Sequence, residues 1–245
     1  MYLGNTLTIP NIANLPGKPG GGGGGLESIA NNFSMQFNGI DEYFNAGDIT
    51  ELNSVTNYSI TFWFKPSSLP VSSTQFILSK FFANGDRIEI TLSSGATLNS
   101  LAFINSSSNS LSFTQQPLPT PAPTSGWYHV AMVYDGTFTD ADPLTQNRGR
   151  LKHYINANYV PGSFSGTQNA QSASLGGKIL SLAKRQTNPP PALFNGYMDE
   201  VAVYDYSLSS SDVQAIFDVT DNDPTQTADL STLSTPPVVW YRMGD

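Results

Sequence analysis

The sequence predicts an all-β chain folded as a β-sandwich or jelly roll. Three observations lead there. Short runs alternate apolar and polar residues with period two, turn signals separate them, and no sustained helical period intervenes. Ten or more such strands in series favour two stacked antiparallel sheets over a parallel α/β sheet.

Taken in order, the β texture starts near Phe33. Tyr58, Ile60, Phe62 and Phe64 alternate with Ser59, Thr61, Trp63 and Lys65, giving one apolar face and one mixed face. Gln75 to Lys80 and Arg87 to Leu92 are shorter versions, separated by Asn84-Gly85-Asp86, a hairpin signal. Leu98 to Asn105 follows. Pro117, Pro119, Pro121 and Pro123 then make a stiff, donor-poor stretch. Tyr128, Val130, Met132 and Tyr134 alternate up to Asp135-Gly136. Thr137 to Gly149 reads as a polar loop. Leu151 to Ile155 runs into a tight turn at Asn156-Ala157-Asn158. Gly177 to Leu182 and Tyr197 to Tyr204 are further strands. One short helix starts near Ser209, where Ser209 and Asp212 form a cap-and-acid pair ahead of Val213, Ile216 and Phe217. Val238 to Arg242 is the final strand.

Composition narrows the function. Only 12% of the 245 residues are charged, about half the usual ~25%. The balance of 11 basic and 19 acidic residues gives a net charge of −8. Nothing here neutralises a row of phosphates, so nucleic-acid binding is disfavoured, and no polybasic membrane patch exists. The chain has no cysteine and two histidines, His129 and His153. A disulfide framework, a thiolate nucleophile and a histidine-rich metal site are therefore not expected. No run approaches the ~18 apolar residues of a membrane span, and Met1 to Pro10 does not read as a secretory signal.

The N-terminal stretch is set apart by composition. Pro16-Gly17-Lys18-Pro19 leads into Gly20 to Gly25. Six glycines have no side chains to bury and a reach of about 13 Å. Residues 1–15 read either as a disordered tail or as an anchoring arm on this leash, with Tyr2, Leu3, Leu7, Ile9 and Ile12 to bury against a partner. The organisation is then arm 1–15, flexible linker 16–26, sandwich 27–207, and a helix-plus-strand extension 208–245.

Five segments carry a resemblance. Phe37-Asn-Gly-Ile-Asp-Glu-Tyr-Phe44, Ser59-Ile-Thr-Phe-Trp-Phe-Lys-Pro66, Gly126-Trp-Tyr-His-Val-Ala-Met-Val-Tyr-Asp-Gly136, His153-Tyr-Ile-Asn156 and Asn195-Gly-Tyr-Met-Asp-Glu-Val-Ala-Val-Tyr-Asp205 occur in this order. They resemble the motifs of laminin-G-like, concanavalin A-like jelly-roll domains, over about residues 33–217. In the fourth, Ala157 stands where the family has glycine. The closing Val239-Trp-Tyr-Arg-Met-Gly-Asp245 is similar to the segment following this jelly roll in structural proteins of tailed bacteriophages, marine ones especially.

The resemblance implies a concanavalin A-like fold and a non-enzymatic virion protein on the capsid or tail, assembled in the host cytoplasm. Its partners would be other virion proteins, and its own copies in a homo-oligomer. A carbohydrate-binding adhesin for host surface glycans is the alternative, and a glycan hydrolase the third reading. Hydrolases of this fold carry E-x-D-x-x-E, which is absent here. Two carboxyls must lie ~5 Å apart for retaining hydrolysis, whereas Asp199 and Glu200, adjacent in a strand, point to opposite faces unless a bulge intervenes. No G-x-S-x-G elbow or P-loop occurs. His129 and His153 read as sheet-surface or half-buried residues.

The resemblance also implies a Ca²⁺ site, with the Gly39 carbonyl, Asp41 and Asp199 as ligands and Asp48 in support. A structural role is the other reading, in which Asp41 caps a turn and Asp199 accepts backbone hydrogen bonds. Asp140, Asp142, Asp221 and Asp223 read as solvated loop acids. For sugar binding, Tyr159 and Phe164 are the candidate platform, in a polar loop with Asn158 and Gln168. Trp63, Trp127 and Trp240 lie in strand patterns and read as core.

Overall fold

The computed structural model describes residues 26–243 apart from 54, 71–72, 82–86, 95, 105–109, 119–123, 125, 162, 166–176, 186–192 and 220–225. The arm, the six-glycine leash, the Asn84-Gly85-Asp86 turn, Pro119 to Pro123, Gln168, Asp221 and Asp223 lie outside the described residues. The chain runs β1 (Ser28–Ala30), β2 (Met35–Asn38), β3 (Phe44–Gly47), β4 (Asn57–Pro66), β5 (Gln75–Phe81), β6 (Arg87–Ser93), β7 (Thr97–Ile104) and β8 (Ser110–Pro117). It continues through β9 (Tyr128–Asp135), α1 (Pro143–Arg150), β10 (Leu151–Ile155), β11 (Asn158–Val160), β12 (Ser163–Ser165) and β13 (Leu180–Leu182). β14 (Asn195–Tyr204), α2 (Ser210–Asp218), β15 (Gln226–Ala228) and β16 (Val239–Tyr241) close it.

Two seven-stranded antiparallel sheets face each other. The first has the order β11-β10-β9-β4-β14-β16, with β2 also on β14, and the second the order β12-β8-β7-β6-β5-β13-β3. The alternation in β4 sends Tyr58, Ile60, Phe62 and Phe64 into the space between them, where they meet Ile88, Ile90 and Leu92 of β6 and Leu180 and Leu182 of β13. This is the concanavalin A-like jelly roll that the sequence predicted.

The outward face of the first sheet is covered as well. Ala131, Val133, Tyr154, Ala202 and Tyr204 pack against Val213 and Ile216 of α2 and against Ala228 and Leu230. α2 starts where the sequence placed it, with the full capping box between Ser209 and Asp212. The preceding segment is fixed by Ser59, whose hydroxyl donates to the Tyr206 carbonyl and accepts from the Leu208 N–H. β1 pairs with β15, and Arg242 Nη2 donates to the Ala30 carbonyl at 2.7 Å. The chain therefore enters and leaves the sandwich side by side.

Three expectations need correction. A second helix, α1, occupies part of the predicted Thr137–Gly149 loop. Asp142 caps it through the Thr145 N–H, Pro143 opens it, and Arg148 and Arg150 sit in its last turn. Asp142 is thus a cap and not merely a solvated acid. Tyr159 and Phe164 lie on edge strands β11 and β12, not in a loop. The β10–β11 hairpin turns at Asn156 and Ala157, whose φ values of 48° and 58° are the left-handed pair of a tight two-residue turn.

Candidate functional site

Asp199 and Glu200 do not obey the alternation. In β14 the register runs Asp199↔Trp63 and then Ala202↔Thr61. Three steps on β14 face two on β4, which is a one-residue bulge. Glu200 takes φ +51° to make it. Met198 and Val201 both stay in the core between the sheets. Asp199 Oδ2 accepts from Asn31 at 3.0 Å, and its Oδ1 accepts from the Glu200 N–H. Glu200 accepts from the Trp240 indole at 2.5 Å and pairs with Arg242 at 3.4 Å. Both carboxylates are buried and anchor the first and last strands. Trp240 is half-buried over this clamp rather than in the core.

The calcium candidates are held apart. Met35 pairs with Met198 and Asn38 with Asn195. The length of β2, about 10 Å at ~3.3 Å per residue, separates Asp199 from the turn holding Gly39 and Asp41. In that turn Gly39 adopts φ +73°. The Asn38 amide donates to Asp41 Oδ1, while Asn38 Oδ1 accepts from the Ile40, Asp41 and Glu42 N–H groups. Asp48 is committed elsewhere. It holds the ammonium of fully buried Lys80 at 2.6 Å and accepts from the Gly177 N–H. Lys80 also donates to the carbonyls of Lys178 and Ile49. Desolvation works against the Asp48 charge, but the Lys80 contact and the Gly177 N–H hold its carboxyl below the usual range. Among the described residues, no group of three or more His, Cys, Asp or Glu side chains is arranged to hold a metal ion.

The predicted sugar platform divides between two sheets. Tyr159 is 44% exposed and packs on Tyr154 at the edge of the first sheet. Phe164 pairs in register with Phe113 at the edge of the second sheet, and its side chain lies outside the description.

Polar chemistry concentrates instead on the outward face of the second sheet. Ile88, Ile90 and Leu92 of β6 point into the core, so Arg87, Glu89 and Thr91 point away from it. Ser79 of β5 pairs with Glu89, and Ser181 of β13 pairs with Ser79. Glu89 is only 1% exposed. Its Oε1 meets Arg185 Nε at 2.8 Å, its Oε2 meets Arg87 Nε at 3.4 Å, and the Ser79 hydroxyl donates to it. The Arg185 guanidinium lies over the Phe76 ring, 5.3 Å from its centroid. Burial pushes the Glu89 carboxyl up, and the two guanidinium groups oppose that rise. The three charges sum to a net positive. The alternation of Arg87, Glu89 and Thr91 is the part of this cluster that the sequence carries. Arg185 is remote in sequence, and only the fold brings it there.

The first sheet has its own outward row. Tyr197 pairs with both Lys65 and Gln36. Phe64 pairs with Tyr128, so Trp127 comes next to Lys65. The Lys65 ammonium lies 5.0 Å from the Tyr197 ring centroid and 5.9 Å from that of Trp127. Trp127 is half-buried here and is not a core residue. Trp63, by contrast, is buried as expected, with Phe217 of α2 stacked on it. His129, beside Trp63, is buried rather than half-exposed, and its Nδ1 has no hydrogen-bond partner. His153 is equally buried. Desolvation holds both imidazoles neutral, with pKa values pulled down to about 3.

Comparison with known proteins adds the family. The sequence model described as Laminin_G_3, concanavalin A-like lectin/glucanases superfamily, matches residues 38–214. No curated protein sequence matches the chain. Among solved structures, the Ruminococcus gnavus IT-sialidase CBM40 bound to alpha2,3 sialyllactose is similar, at 13% identity. The match covers 79% of this chain and 100% of that one, with a TM-score of 0.54. Domains LG4-5 of the mouse laminin alpha1 chain are similar at 14% identity, over 75% of this chain and 44% of that one, with a TM-score of 0.50. At these identities the likeness is one of fold.

Proposed function

The chain belongs to the Laminin_G_3 family of the concanavalin A-like lectin/glucanases superfamily, and on that premise we propose that it is a non-enzymatic carbohydrate-binding domain. The observation that carries this reading is the Glu89 cluster. Burying a carboxylate with two guanidinium groups on an outward sheet face is a costly way to stabilise a sandwich. It is an effective way to preorganise donors for a hydroxyl-rich ligand. Each guanidinium presents its N–H donors in a fixed planar fork. Ser79, Thr91 and the Phe76 ring lie beside them. The similarity to a sialidase module bound to sialyllactose supports the ligand class. The bulge commits Asp199 and Glu200 to Asn31, Trp240 and Arg242, which argues against their use as an acid and nucleophile pair.

The test is a glycan array followed by titration of the best ligand against wild type and Arg185→Gln. Binding that falls at least about tenfold in the variant, with the melting temperature kept, supports the reading. Unchanged affinity in the variant removes the ligand from the Glu89 face, and no bound glycan overturns the carbohydrate-binding reading.

A virion role is a second reading, resting on the resemblance of the closing segment. One observation favours its architecture. β1 starts at Ser28 and is locked to β15, with the Asp229 N–H donating to the Glu27 carbonyl. The variant that tests this reading lacks residues 1–25, which precede this pairing. The deleted protein should fold and stay soluble yet fail to join particles, and normal incorporation overturns this reading.

A further inference from the structure

The row formed by Trp127, Lys65, Tyr197 and Gln36 crosses the outward face of the first sheet beyond the cover of α2. Phe217 lies over Trp63, and Lys65 follows two residues later on the same face of β4. Trp127, Lys65 and Tyr197 are half-buried, and Gln36 is exposed. The strands are drawn close here. A Cβ at Gly196 would sit 2.3 Å from the Lys65 carbonyl oxygen, so only glycine lets β14 approach β4 this way. That approach brings the Tyr197 ring against the Lys65 ammonium. On the other side, a Cβ at Gly126 would meet nothing within 4 Å, leaving open space beside Trp127.

The cation of this row is held by ring faces, as Lys184 is over Tyr43 elsewhere in the protein. The chain carries 19 acidic residues against 11 basic ones. Lys80, Arg87, Arg185 and Arg242 each lie within ion-pair distance of a carboxylate. The Lys65 ammonium instead lies over two aromatic rings, and no carboxylate among the described residues pairs with it. An ammonium has three donors and no acceptor, and ring faces hold it without using those donors in hydrogen bonds. Aromatic faces stack on the apolar face of a sugar ring, and the Gln36 amide can both donate and accept. What the row lacks is an anion.

We propose that the Trp127–Lys65–Tyr197–Gln36 row is a second saccharide-binding site, selective for acidic sugars, on the sheet opposite the Glu89 face. The proposal rests on the carbohydrate-binding reading for its ligand class and on separate residues for its site. The ring of the sugar lies against Trp127 or Tyr197, and its carboxylate or sulfate meets the Lys65 ammonium. Three inter-strand steps of ~4.8 Å make the row about 14 Å long, enough for a short oligosaccharide. The protein's overall negative charge repels an acidic glycan, so binding depends on this one cation and weakens as salt screens it.

The experiment titrates wild type, Lys65→Gln and Arg185→Gln with three oligosaccharides of matched length. These are an oligogalacturonate, its neutral methyl ester and a sulfated galactan. Lys65→Gln removes the charge from a partly exposed side chain and leaves the sheet intact, which the melting temperature verifies. Wild type should bind at least one acidic ligand about tenfold more tightly than the ester. Lys65→Gln should lose that preference, and Arg185→Gln should keep it. The carboxylated and sulfated arms identify which anion fits. An undiminished preference in Lys65→Gln overturns the proposal, as does equal binding of acid and ester or no binding of either acid. Loss of the preference in Arg185→Gln alone assigns acidic binding to the Glu89 face. That outcome overturns this site while leaving the carbohydrate reading standing.

Discussion

Mild acid should destabilise this protein through its two buried histidines. Each has a folded pKa of about 3, set by desolvation, against about 6.5 for an unfolded chain. The folded value is the lower one, so the unfolded state binds more protons between these limits. The stabilisation is complete above pH 6.5 and is lost as the pH falls toward 3. Each histidine contributes a slope of about 1.36 kcal/mol per pH unit in that window. From pH 6.5 to 5.0 that is about 2 kcal/mol each and about 4 kcal/mol for the pair, from a typical total of about 5–15 kcal/mol. Glu89, whose carboxyl is raised by burial, works weakly in the opposite direction. Urea titrations at pH 7.5, 6.0 and 5.0 measure the effect. Buried Trp63, 5.3 Å from the His129 ring, is a local fluorophore. His129→Phe preserves a ring against both Trp63 and Phe217, removes the unsatisfied Nδ1, and should halve the slope. A flat stability between pH 7.5 and 5.0, or a full slope in His129→Phe, refutes the reasoning.

Two further outcomes concern packing. Asp48→Asn removes the anion from buried Lys80 and should cost about 2 kcal/mol, less than a fully buried pair because Asp48 is partly exposed. Lys80→Met should cost less than Asp48→Asn, and the order of the two urea midpoints checks it. Ser209→Ala breaks the capping box and should cost about 1 kcal/mol. Hydrogen exchange should speed up in α2 before it does in β4.

The strands were legible because the face that lines the space between the sheets takes large apolar side chains at every second position, and β4, β6 and β9 follow that period. The helix α1 was legible in principle, since Asp142, Pro143 and the terminal arginines mark its ends. Its apolar stripe is too weak to announce it. The bulge at Asp199–Glu200 was not legible, because it turns on the positive φ of a glutamate, a residue with no intrinsic preference for it. His129 looked half-exposed because strand alternation says which side a residue faces. It does not say that α2 will cover that side. The same limit hid Arg185, which reaches Glu89 from 96 positions away in sequence. It also sent Tyr159 and Phe164, five residues apart, to different sheets.

The adjacency of the chain's entry and exit has a mechanical consequence. β1 is zipped to β15, and Arg242 grips the Ala30 carbonyl, so polypeptide attached at both ends emerges from neighbouring points. Two such connections act as a single mooring rather than as two supports. Pulling on them loads this one corner and leaves the sandwich free to swivel about it. The corner lies on the outward side of the first sheet, where Leu26, Ala228 and Leu230 pack, so the Glu89 face of the second sheet points away from it.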